Sequence, residues 1–157
     1  MHSFDGMDGT KWSFSVNYGI VQQVLEETGF KLTDLFYDPK AAGELLGDPF
    51  RWLRVMFATL KPQATAAGKT FDDFLAAMDD TVLAKATDAL LEAVIDFFQE
   101  PRRTLVRRAL QKYRTESERL TSAATLLAER RLEEIDMAAI ISQTHTSSDS
   151  SSPASAA

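Results

Sequence analysis

Thr81-Val82-Leu83-Ala84-Lys85-Ala86-Thr87-Asp88-Ala89-Leu90-Leu91-Glu92-Ala93-Val94-Ile95-Asp96-Phe97-Phe98 runs into Gln99-Glu100-Pro101-Arg102-Arg103-Thr104-Leu105-Val106-Arg107-Arg108. The first part places Leu83, Leu90, Leu91, Val94, Ile95, Phe97 and Phe98 on a wide apolar arc. Lys85, Asp88, Glu92, Asp96 and Gln99 recur on the remaining face, which is the pattern of an amphipathic helix. Charge reverses at the junction. Thr70 to Glu100 carries eight acids against one base, while Pro101 to Arg119 carries seven bases against two acids. A proline at the break and opposite charge on either side predict two antiparallel helices, Val82–Phe98 and Pro101–Arg114, packed as a hairpin. Leu105, Val106, Ala109, Leu110 and Tyr113 would face inward from the second helix.

Upstream, the chain punctuates itself into further helices. Asn17 is a natural N-cap for a segment carrying Ile20, Val21, Val24 and Leu25, closed by Gly29. Leu32 to Tyr37 reads as one short turn, capped by Thr33 or Asp34, and Pro39 opens a short helix closed by Gly47. Asp48-Pro49 is a cap with proline at the first helical position, starting a helix with Phe50, Leu53, Phe57 and Leu60 on one face. Lys61-Pro62 is expected to end or kink it. Thr70 caps a short helix with Asp72 and Asp73 in its first turn, and Asp80 or Thr81 caps the next.

Lys11-Trp12-Ser13-Phe14-Ser15-Val16 alternates polar and apolar residues and reads as a strand with no evident local partner. It is expected either to lie on the helices as an arm or to pair with another chain. The fold class is therefore all-α with a short N-terminal strand or arm. Residues 1–10 are expected to be a flexible N-terminus, 11–115 a helical domain, and 116–142 a helical extension. Residues 143–157, rich in Ser, lack the means to form a core and are expected to be a disordered tail.

Composition narrows the function classes. With 45% hydrophobic and 25% charged residues over 157 positions, the chain suits one modest globular domain plus tails. A formal charge of −6 disfavours nonspecific binding to nucleic acid, which needs a basic surface. The absence of cysteine excludes disulfides, thiolate zinc sites and cysteine nucleophiles. The most apolar segment, Val82 to Phe98, is interrupted by four charges and cannot span a bilayer. No basic-then-apolar leader opens the chain, and a cytoplasmic protein is expected. Both histidines, His2 and His145, fall in segments read as loose, so no Ser-His or metal-His set is expected on the folded part. Asp72-Asp73 and Asp79-Asp80 read as helix starts, and the single glycines form no phosphate-binding loop. Arg102, Arg103, Arg107 and Arg108 read as partners of the acidic neighbour helix. No enzyme and no cofactor is expected.

The order of these features resembles a group of phage and prophage proteins, the tail assembly chaperones encoded beside the tape-measure protein. The likeness rests on Val16-Asn17-Tyr18-Gly19-Ile20 through Glu27-Thr28-Gly29, then Lys31-Leu32-Thr33-Asp34-Leu35, then Asp48-Pro49 through Lys61-Pro62-Gln63. It continues in Thr70-Phe71-Asp72-Asp73-Phe74 and in Ala86-Thr87 through Arg103, covering about residues 11 to 115. The resemblance implies a non-enzymatic factor of the host-cell cytoplasm. It would hold the long, helical tape-measure protein soluble until the tail tube polymerises, with the tail-tube protein as a further partner and neither nucleic acid nor membrane involved. A rival from another class is a structural tail-completion or connector subunit of the virion, whose partnerless strand would pair between subunits.

Beyond the resemblance lies the helix-favouring C-terminal segment. Leu120, Leu127, Leu132, Ile135, Ile140 and Ile141 recur at near-helical spacing with few apolar neighbours in their own segment. They are expected either to be the partner-binding residues, buried when a partner helix lies alongside, or to fold back on the domain as ordinary packing.

Overall fold

The computed structural model describes the backbone of residues 2–146 and the side chains of 2–143. The elements run β1 (His2–Asp5), β2 (Lys11–Phe14), α1 (Tyr18–Thr28), α2 (Asp34–Tyr37), α3 (Pro39–Leu46), α4 (Pro49–Ala67), α5 (Phe71–Ala76), α6 (Asp80–Phe97) and α7 (Arg102–Thr146). This is a mostly helical protein with a short two-stranded N-terminal sheet. It divides into two compact units, Met1–Arg108 and the chain from Ala109 on. Gln143 to Thr146, expected to begin the tail, extend α7; the rest of the Ser-rich tail lies outside the described residues.

In the first unit the strand at Lys11 has a local partner after all. Residues 1–10, expected to be flexible, supply β1, and β1 pairs antiparallel with β2 in the register His2↔Phe14, Ser3↔Ser13, Phe4↔Trp12, Asp5↔Lys11. Gly9, at φ 79°, lets the connection turn, and Asp8 accepts from the Thr10 amide at 3.0 Å. A two-stranded ribbon alone is marginal, so its stability comes from the face it buries. Phe4, Trp12 and Phe14 are all at most 4% exposed. β1 lies on α6, and β2 touches both α4 and α6. Trp12 meets Phe74 of α5 edge-on at 5.6 Å, and Phe4 stacks on Phe14 at 5.5 Å.

The outer edge of β2 is closed by a side chain. The Gln63 carboxamide accepts from the Ser13 amide at 3.1 Å and donates to the Lys11 carbonyl at 3.4 Å. One glutamine thus satisfies the groups that a third strand would have paired. Gln63 reaches this edge because α4 continues past Pro62, where the sequence is expected to end or kink the helix. A proline there removes the N–H that would have bonded the Ala58 carbonyl. Gln23 of α1 fills the gap, its amide donating to that carbonyl at 3.1 Å. α1 and α4 pack together along this line, and α4 is fastened to α6 by Trp52, whose indole N–H donates to Thr87 at 2.8 Å.

Helix starts follow local chemistry. Asn17, Asp38 and Asp48 accept from backbone amides of the first turns, Thr70 and Asp73 form a reciprocal capping box, and Asp79, rather than Asp80 or Thr81, caps α6 at 2.7 Å. Phe50, expected inside, is 71% exposed; Trp52, Val55 and Met56 take the core positions of α4.

Of the hairpin expected between Val82–Phe98 and Pro101–Arg114, the first unit holds contacts of the first turns of α7 with the end of α6. Pro101 precedes α7, and the Glu100–Pro101 peptide is cis. The first turns of α7 meet α6 through guanidinium groups: Arg103 donates to the Phe98 carbonyl at 2.9 Å and the Asp96 carbonyl at 3.0 Å, capping the helix end. Arg107 pairs with Asp96 at 3.1 Å and Glu92 at 3.6 Å. Leu105, Ala109 and Tyr113, expected to face inward, are exposed, while Val106 is half-buried and Leu110 buried.

Two stability predictions follow from these contacts. Leu90 and Val94 are fully buried, so Leu90→Ala or Val94→Ala should each cost about 2–4 kcal/mol in urea melts. Arg108→Ala should stay within about 0.5 kcal/mol, and Arg107→Ala within about 1 kcal/mol, because its ion pairs are half-exposed. The opposite ranking would make the charge contacts the clamp. Gln23→Ala should cost about 1–3 kcal/mol by orphaning the Ala58 carbonyl. In a Pro62→Ala background the restored backbone N–H should shrink that cost; an equal cost in both backgrounds would refute the coupling.

Candidate functional site

α7 is built from strong helix formers, Leu, Ala, Arg, Glu and Gln, with no glycine or proline from Arg102 to Thr146. Its hydroxyl residues are tied back to the helix. Thr115 donates to the Gln111 carbonyl at 3.0 Å, Thr121 to Ser117 at 2.8 Å, and Thr125 to Thr121 at 2.9 Å. Those side chains therefore add little polar reach to the surface between the apolar residues.

The six expected partner-binding residues all lie on α7 and all are exposed: Leu120 72%, Leu127 61%, Leu132 62%, Ile135 63%, Ile140 62% and Ile141 56%. For large aliphatic side chains these are high values, since burying one contributes about 1.5–3 kcal/mol. Helical geometry brings some of them together and separates others. Leu120 and Leu127 stand two turns apart on one line, flanked by Ile135 and Ile141; Leu132 lies further round, and Ile140 falls nearly opposite. Leu126 (65%) and Met137 (66%) are equally exposed and lie about 100–120° round the helix from Leu120, on the side of Ile141.

The Arg-rich start of α7 is engaged with its own unit. Besides Arg103 and Arg107, Arg102 donates to the Tyr37 hydroxyl at 2.6 Å and lies 5.4 Å from the centre of that ring. His2, expected in a loose segment, sits in β1 and bonds Asp96 at 2.6 Å. His2, Ser15 and Asp96 line a cavity of about 310 Å³.

Among the described residues no group of three or more metal-ligating side chains converges, and no helix is long and apolar enough to cross a membrane. No protein-family model, curated protein or solved structure matches this chain.

Asp96 joins three elements, so its titration reports on them. The hydrogen bond from His2, aided by the charges of His2, Arg107 and Arg103, holds its carboxyl below the usual aspartate value. Asp8 and Asp73 are lowered chiefly by the amides of Thr10 and Thr70. A carboxyl depressed in the folded state contributes stability above its unfolded pKa, about 3.9, and loses it as pH falls through the folded value. Thermal melts from pH 7 to 3 should therefore show Tm falling mainly below about pH 4, with a shallower fall in Asp96→Asn. An unchanged slope in that variant would remove Asp96 from the linkage.

Proposed function

We propose that this chain is a phage tail assembly chaperone that binds the tape-measure protein and keeps it soluble in the host cytoplasm until the tail tube polymerises. What carries the reading is the row of exposed aliphatic side chains on α7, together with the order of segments from Val16 to Arg103 that resembles that family. A tape-measure protein is long and helical. An apolar stripe set among charges is suited to reversible pairing with such a helix, because apolar contact supplies affinity and the flanking charges keep the free form dispersed. The reading needs no catalytic residue, cofactor or metal, and it extends to the tail-tube protein only as a possible second partner. The rival connector reading drew on a partnerless strand, and Lys11–Phe14 is paired within the chain.

Co-expression with the tape-measure protein encoded beside its gene tests the proposal. The full chain should shift that protein from the pellet to the soluble fraction and co-purify with it. Truncation after Thr115, or Leu127→Glu with Ile135→Glu, should abolish the shift while the first unit still melts cooperatively. Equal solubilisation by the truncated chain would move the binding surface off α7, and recovery of the chain from purified virions would favour the connector reading.

A further inference from the structure

We infer that α7 pairs with α7 of a second copy of this chain, antiparallel and centred on Ala123, so that the exposed apolar stripe is covered by its own kind when no other partner is present. The inference is drawn from α7 alone and stands apart from the proposed function.

Three features of the second unit support it. The first is an apolar face around Ala123: Leu120, Leu126 and Leu127 are 72%, 65% and 61% exposed. Tyr113, Leu120 and Leu127 recur on it every seven residues, until Glu134 interrupts the series. Leu120, Leu126 and Leu127 surround Ala123, whose small side chain permits close approach of two backbones at that level.

The second feature is charge. From Ala109 to Ser122, α7 carries three bases and two acids; from Ala124 to Met137 it carries four acids and two bases. A parallel pair would stack like-charged segments on each other, whereas an antiparallel pair sets the more basic against the more acidic segment. This contrast favours the antiparallel orientation.

The third feature is register. Charges on the seam stand at matching distances from Ala123 with opposite sign. Glu116 and Arg130 are each seven residues away, so a two-fold at Ala123 places Glu116 of one copy opposite Arg130 of the second copy, twice over. The same operation brings Lys112 level with the acidic pair Glu133-Glu134, Ala109 opposite Met137, and Leu120 beside Leu126 and Leu127. Such a pairing is isologous, and its closed symmetry stops growth at two chains.

The natural absence of cysteine makes the test direct. Sedimentation equilibrium of the full chain should give twice the 17.4 kDa chain mass, and Leu120→Glu with Leu127→Glu should halve it while helical circular dichroism from the first unit persists. Under mild oxidation Ala123→Cys should cross-link efficiently. Glu116→Cys alone should not, yet a mixture of Glu116→Cys and Arg130→Cys chains should form the mixed disulfide. Glu116→Arg should weaken dimerisation about tenfold, the equivalent of about 1.4 kcal/mol, and adding Arg130→Glu should restore it. A monomeric full chain overturns the inference. So does a dimer in which Glu116→Cys alone cross-links as well as Ala123→Cys, because that result means a parallel pair.

Discussion

The first unit depends on burial of one small aromatic face. Phe4, Trp12 and Phe14 project from a ribbon too short to be stable alone, and they supply the apolar surface that α4, α5 and α6 enclose. Most other contacts serve to hold that arrangement. Gln63 closes the free edge of β2, α4 must remain helical through Pro62 to present Gln63, and Gln23 makes that continuity tolerable by occupying the Ala58 carbonyl. Trp52 and Thr87 then fix α4 against α6. Two glutamine amides, neither of them conspicuous in the sequence, thus connect α1, α4 and β2.

Electrostatics has a narrower role than the charge reversal at Pro101 suggests. Two of the acids, Asp73 and Asp79, bond backbone amides at helix starts, and Asp96 also bonds His2. The bases of α7 divide between capping the end of α6, stacking on Tyr37 and pairing with Asp96 and Glu92. These contacts are short-ranged and partly solvated, so they orient the first turns of α7 more than they stabilise the core.

Local rules were legible and distant compensations were not. Asn17, Asp48 and Thr70 act as the caps their side chains predict, and Gly29 and Gly47 close helices as expected, Gly29 with positive φ. The period of Val82 to Phe97 correctly placed Leu90, Leu91, Val94 and Ile95 inside. That α4 does not end at Pro62 was not legible, because Gln23, which takes the Ala58 carbonyl, lies on another helix. His2 to Asp5 was misread because four residues beside Gly6 and Gly9 carry no strand signal until Trp12 and Phe14 are seen to need a cover. On α7 the exposed aliphatic positions are visible from spacing, whereas Leu126 and Met137 stand off the line of Leu120 and Leu127, and Leu105 and Tyr113, expected inward, are exposed.

Native-state hydrogen exchange tests the central claim most directly, that the ribbon is integral to the helical unit. The Ser13 amide, held by Gln63, should exchange only through global unfolding, at the same free energy as the amides of Leu90 and Val94 in the centre of α6. Exchange of Ser13 by a local opening, while Leu90 and Val94 remain protected, would contradict the account and reduce the ribbon to an ornament on a self-sufficient helical core.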